Sequence, residues 1–278
     1  GERMSEIVKD FCSQYVGKEG RRLVREADHG LEFATTLHFL RKYLPPSGLV
    51  LDAGGGPGRY TLELARRGYQ VVLLDYTPAN LEFARRRIRR LPADAPLRKN
   101  VRAVVEGSIT DLSQFADGTF DAVVCTGGPL SHVVDADQRD QAVDELVRVA
   151  KPGAPLFVST ISRLSALVVE LTIAQHEIEE PHFVVLRDSG DYFGGFGFTE
   201  AHFFYPEELR AAFDGRPVTV LEMAGLEGVG SGHRREINRL AKSPERWKVW
   251  METHLATCTH PSVVGLSEHM LIVCRKKA

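Results

Sequence analysis

The sequence predicts an α/β protein built on a mostly parallel β-sheet with helices on both faces. Three observations predict it. Short, continuous apolar runs alternate with helix-like stretches from Leu49 to Ile161, as strands buried on both faces do. The first run leads into Asp52-Ala53-Gly54-Gly55-Gly56-Pro57-Gly58, a glycine-crowded turn that opens a helix-like stretch. The second run ends on an acid, Asp75. A tight glycine turn beside an acid-tipped strand suits a backbone that must approach a nucleoside-bearing ligand closely.

The elements follow in order. Residues 5–44 read as helical, with apolar residues three or four apart at Ile7, Val8, Phe11 and Tyr15 and again from Leu31 to Leu40. Pro45-Pro46-Ser47-Gly48 ends that stretch. Leu49 to Leu51 is the first strand. A helix over 59–67 stops at Gly68, and Val71 to Leu74 is the second strand. Thr77-Pro78 starts a helix, with Thr77 as cap and Pro78 at its first position. Val101 to Val105 and Phe120 to Cys125 are the third and fourth strands. A helix over 137–150 is broken by Lys151-Pro152-Gly153, and Leu156 to Ile161 is the fifth strand. Right-handed crossovers place every loop after a strand at one edge, where ligands bind. Beyond it come a helix over 162–180, an aromatic and glycine-rich stretch from Phe183 to Phe204, a helix from Pro206 to Phe213 and a strand from Val218 to Met223. A helical stretch over 233–258 precedes a last strand from His269 to Cys274.

With 278 residues, 43% of them hydrophobic, the chain can bury a substantial core. Lys and Arg total 35 against 37 Asp and Glu, a net charge of -2. That balance lacks the basic excess of a protein gripping nucleic acid by its phosphates. Local basic clusters, such as Arg85-Arg86-Arg87, read as solvated helix faces. The four cysteines form no CxxC pair, which fits a reducing compartment. No apolar run is long enough to span a bilayer, and the first residues show no signal-peptide core. Met4 reads as a natural start behind three extra residues, and the cytoplasm is the expected location.

Asp52-Ala53-Gly54-Gly55-Gly56-Pro57-Gly58 has the D-x-G-x-G-x-G pattern, Asp75 ends the second strand, and Glu106-Gly107-Ser108-Ile109-Thr110-Asp111-Leu112 follows the third. Phe120-Asp121-Ala122-Val123-Val124-Cys125 and Arg148-Val149-Ala150-Lys151-Pro152-Gly153 complete the series. In these four motifs, over residues 48–161, the chain resembles the class I S-adenosylmethionine-dependent methyltransferases of small-molecule type. The resemblance implies a doubly wound, mostly parallel seven-stranded sheet with an antiparallel last strand, closed by a hairpin of Val218–Met223 and His269–Cys274. Residues 1–47 are then an N-terminal helical lid on a methyltransferase domain over 48–278, with a lid-like insertion at about 162–205.

The cofactor implied is S-adenosyl-L-methionine, leaving as S-adenosyl-L-homocysteine. Gly54, Gly56 and Gly58 let the backbone approach its methionine part. Asp52 orients the turn or accepts from the cofactor's ammonium group. Asp75 accepts both ribose hydroxyls, Tyr76 lies against the adenine, Ser108 and Ile109 grip the adenine edge, and Thr126 passes near the sulfonium. Ser108 stands where many members have Asp, so the usual side-chain contact to the amino group rests on a hydroxyl. The acceptor is a small organic molecule. His132, in the loop after the fourth strand, is the first candidate base and His202 the second. Tyr15, Tyr192, Phe193, Phe196 and Phe198 are expected at the acceptor, or else in a core beneath the insertion.

Rival readings lack their signatures. A dehydrogenase fingerprint needs G-x-G-x-x-G, and Arg59 stands at the third place. No Gly-Lys-Ser/Thr of a P-loop follows. Neither Asn-Pro-Pro-Tyr nor a Pro-Cys nucleophile is present, and Cys125 reads as a small core residue. His254, Cys258 and His260 lack a fourth partner, so no metal is expected. The alternatives kept are methylation of RNA or protein, and a cofactor-binding protein without catalysis.

Overall fold

The structure is a computed structural model that describes residues 23–194 and 198–278, with side chains from residue 30 onward. Tyr15 and Phe196 lie outside the described residues.

Helix α1 (Leu23–Tyr43) precedes β1 (Leu49–Ala53), α2 (Arg59–Arg66), β2 (Gln70–Asp75), α3 (Pro78–Arg89), α4 (Pro96–Asn100), β3 (Val101–Glu106), β4 (Ala122–Cys125), α5 (Ala136–Val149) and β5 (Pro155–Ile161). An insertion follows, made of α6 (Arg163–Thr172), α7 (Pro181–Ser189) and the short hairpin β6 (Asp191–Tyr192) and β7 (Ala201–His202). Then come α8 (Pro206–Phe213), β8 (Val218–Gly225), α9 (Arg234–Leu240), α10 (Pro244–Thr257), α11 (Pro261–Val264) and β9 (His269–Lys276). The main sheet has seven strands in the order β3-β2-β1-β4-β5-β9-β8. The first five are parallel, and β9 is antiparallel to both β5 and β8. The sheet and its closing hairpin are those expected from the sequence.

Strand alternation sorts the core into two layers. Val50, Val124, Phe157 and Val273 face Phe33, Leu37 and Leu40 of α1 and Leu64 of α2. Leu51, Val123, Leu156 and Ile272 face Val143 and Leu146 of α5 and Leu209 and Phe213 of α8. Phe157, on the strand between β4 and β9, is fully buried. Phe157→Ala is expected to cost about 3–5 kcal/mol, read as a lower urea midpoint at unchanged slope. A loss below about 1 kcal/mol would mean that the neighbours refill the space.

Helix α1 covers one face of the sheet and packs on α9. No side chain described for it lines the cleft discussed below, so this part of residues 1–47 is a layer helix rather than a cover over the site. The insertion differs from its expected single helix. The chain turns after Thr172 and restarts at Pro181, the first position of α7. Gly190 then holds φ 84, and a Cβ there would lie 2.3 Å from the carbonyl oxygen of Phe203. Only glycine lets β6 pack this closely on the strand it pairs with.

Candidate active site

The strand order reverses between β1 and β4, and the loops that leave their carboxyl ends open a cleft there. The glycine turn after β1 is tied to β2: the amides of Gly54 and Gly55 both donate to the Leu74 carbonyl, at 2.7 and 3.1 Å. Gly54 has φ 68, and a Cβ on it would stand 2.6 Å from Pro129 Cγ. The turn therefore closes only with glycine at this position. Gly56 lines the cleft, and its amide donates to Asp75 Oδ2 at 2.8 Å. Gly58 does not line it: this residue, at φ 83, starts α2 and packs near Leu73 and Ala84. Its position is that of helix entry, behind the residues that line the cleft.

Asp75 is nearly buried yet lines the cleft. Its Oδ1 accepts from the Thr77 amide at 2.9 Å and from Asn80 Nδ2 at 3.3 Å. Thr77 thus serves through its backbone, and its side chain makes no cap hydrogen bond. With Gly56, three protein donors meet this carboxylate. Two oxygens offer about four acceptor positions, so one is left for a ribose hydroxyl, where two were expected.

Asp52 lies beneath the turn, fully buried. Oδ2 accepts from Thr61 Oγ1 at 2.6 Å, while Oδ1 has no partner. Burial pushes its carboxyl up to about 6, against the hydrogen bonds from Thr61. Thr126, at the end of β4, is also buried with its hydroxyl unpartnered. Neither residue lines the cleft. Orphaned buried polar atoms are rare in folded proteins.

The cleft encloses about 1100 Å³. Tyr76, Ser108 and Ile109 line one end as expected, with Tyr76 73% exposed and Ile109 buried. The Ser108 hydroxyl pairs with Thr110 Oγ1 at 2.8 Å. Gly127, Pro129 and His132 line the next stretch, and Arg139, Asp191 and Phe193 the far wall. A Cβ on Gly127 would meet no atom within 4 Å. The donor set suits a nucleoside with an amino-acid tail: a carboxylate for the sugar, an apolar wall for a base, and open backbone at two glycines. The buried Asp52 carboxylate lies beneath the glycine turn, where its charge favours an ammonium group on the other side of that backbone. The residues therefore fit the cofactor implied by the motifs.

His132 Nδ1 meets the Glu200 carbonyl oxygen at 3.1 Å, and its ring lies 5.9 Å from that of Phe198. His202 is corrected. It is buried outside the cleft, with Nδ1 2.6 Å from Asp191 Oδ1 and Nε2 3.2 Å from Glu208 Oε1. Both ring nitrogens are committed, so it cannot take a substrate proton. Tyr192 is also corrected: it sits with Leu186, Ala201 and Phe203 in the insertion's own core, and its hydroxyl donates to Glu177 at 3.2 Å. Phe193 lines the cleft, whereas Phe198 packs on His132 and Phe203 without lining it. Sequence reasoning missed Asn80, Arg139 and Asp191. Asn80 sits in the first turn of the helix that leaves Asp75, a readable position; Asp191 owes its place to a hairpin with no periodic signal.

Among the described residues, Glu32, Glu227 and His269 bring ligand atoms within 4.8 Å of one another. Glu227 is already engaged, by His269 Nδ1 at 2.7 Å, by the His269 amide and by Ser267 Oγ. Burial disfavours the imidazolium, yet the Glu227 carboxylate holds His269 at about 10. The group is a buried ion pair. No described helix is long and apolar enough to cross a membrane.

Residues 50–153 match the family model described as a methyltransferase domain. Residues 50–153 are thus a methyltransferase domain, and the motif order, the sheet topology and the cleft at its switch point agree with the class I S-adenosylmethionine-dependent fold. Among curated proteins, the chain is 33% identical over 144 residues to a ubiquinone biosynthesis O-methyltransferase of Xylella fastidiosa, covering 51% of this chain and 54% of that protein. The chain thus spans about half the length of the curated relatives it matches. A SAM-dependent methyltransferase of Methanosarcina mazei shares the fold at TM-score 0.60 and 20% identity, over 86% of this chain and 97% of that one. So does a 1,6-didemethyltoxoflavin-N1-methyltransferase of Burkholderia thailandensis, solved with S-adenosylhomocysteine, at TM-score 0.52 and 15% identity, over 100% and 90%.

Proposed function

We propose that this protein transfers a methyl group from S-adenosylmethionine to an oxygen of a small organic acceptor. One observation carries the reading: Asp75 and the Gly56 amide are joined at the switch point of a class I sheet. Bound there, the cofactor supplies a methyl group already activated on a sulfonium. The chain's own work is placement. Asp75 orients the ribose, the Gly54–Gly56 backbone receives the amino-acid tail, and the buried Asp52 carboxylate beneath that backbone attracts its ammonium without touching it. Holding acceptor and methyl in line supplies about 7–11 kcal/mol of the barrier reduction.

The names of the curated relatives support an oxygen acceptor. A hydroxyl gives up a proton on methylation, and His132 lies in the cleft to take it. The net charge of -2 argues against RNA as the acceptor. Incubation with labelled S-adenosylmethionine and a panel of phenols and alcohols tests the proposal: a methyl ether supports it. Cofactor binding with no methylated product from any acceptor class favours a non-catalytic binding protein.

Asp52 gives a pH signature. Its folded carboxyl ionises near pH 6, and the ionised form attracts an ammonium more strongly. Affinity for S-adenosylhomocysteine is therefore expected to rise from pH 5 to 7 and level off above. Asp52→Asn is expected to flatten that rise in calorimetric titrations; an unchanged slope would remove Asp52 from the binding equilibrium.

A further inference from the structure

We propose that Phe198 and the backbone carbonyl of Glu200 are the positioning element of His132, setting which ring nitrogen is free to take a proton. The inference rests on the reading of His132 as the base and adds the residues that make it one.

A carbonyl oxygen can only accept. The 3.1 Å contact between His132 Nδ1 and the Glu200 oxygen therefore places the proton on Nδ1 of the neutral ring. Nε2 then carries the lone pair, and no described residue hydrogen-bonds to it. Without the carbonyl, the ring would exchange between two tautomers, and only one presents Nε2 as a base.

The hydrogen bond alone leaves the ring free to rotate about it. Phe198 supplies the second restraint. Its ring centroid is 5.9 Å from the His132 ring, with planes 32° apart. Phe198 is in turn backed by Phe203 at 5.8 Å and 31°. Phe203 is buried in the insertion's core beside Tyr192. The stack runs from a fixed core through a half-exposed ring to the histidine. This also accounts for Phe198, an aromatic that does not line the cleft and fills no core of its own. His132 stands on the loop after β4, while Phe198 and Glu200 stand on the insertion after β5. The base is thus complete only where two separate segments meet.

The test is long-range nitrogen-15 imidazole spectroscopy on full-length protein loaded with S-adenosylhomocysteine. Wild-type His132 is expected as the Nδ1–H form. Phe198→Ala is expected to give a mixture of tautomers, with homocysteine-nucleoside affinity unchanged. Phe198→Tyr, which keeps the ring, is expected to restore the wild-type spectrum. Turnover of any acceptor the protein methylates is expected to fall by about 10–10²-fold in the alanine variant. An Nε2–H tautomer in wild type overturns the proposal, as does a Phe198→Ala spectrum identical to wild type. A changed spectrum with unchanged turnover overturns it too. Failure of the loading ligand to bind would instead strike the cofactor assignment, since the tautomer can be read without it.

Discussion

Asp75→Ala is expected to weaken S-adenosylhomocysteine binding by about 10²–10³-fold, or roughly 3–4 kcal/mol. Part of this is direct. A hydrogen bond to a charged acceptor contributes about 1.5–3 kcal/mol, and the ribose loses one. The rest is indirect. Asp75 holds the Gly56 amide, the Thr77 amide and the Asn80 side chain, so its removal frees these three groups while Gly54 and Gly55 stay tied to Leu74. Asp75→Asn should be nearly as damaging, because an amide group can present only one acceptor oxygen to these donors. Calorimetry gives the affinity, and circular dichroism checks that the variant is folded. An affinity within about threefold of wild type would mean that the sugar is held elsewhere.

His132→Ala is expected to lower turnover by about 10²–10⁴-fold, the usual range for loss of a general base. Cofactor affinity should stay within about threefold of wild type, because the ring's one described hydrogen bond is to the Glu200 carbonyl. The split between turnover and affinity separates a base from a wall of the cofactor site. Unchanged turnover on the true acceptor would remove His132 as base.

The geometry of the candidate cofactor cleft was legible because it is written in local chemistry. Glycine at 54 and 56, an acid at the end of β2 and apolar strands between are each required by backbone geometry or burial, whatever the rest of the chain does. Gly58 belongs to the same pattern and meets a second local need, the left-handed conformation that starts α2. The partners of Asp75 were not legible in full, since Gly56, Thr77 and Asn80 converge on it only once the turn is folded.

The acceptor half was less legible, because no periodicity governs it. Tyr192 and Phe193 are adjacent in sequence, yet strand alternation buries one in the insertion and turns the other to the cleft. His202 resembled a base in sequence, but its pairing with Asp191 across a two-residue hairpin, and with Glu208 on α8, ties up both nitrogens. Such contacts depend on loop geometry that composition does not specify.

A crystal structure of the protein grown with saturating S-adenosylhomocysteine tests the central claim most directly. The expected result is a ribose hydroxyl within hydrogen-bond distance of Asp75, the adenine between Tyr76 and Ile109, and the sulfur beside Gly127. A nucleoside bound away from the Gly54–Gly56 turn, or a cleft filled by other side chains with no ligand density, would contradict it.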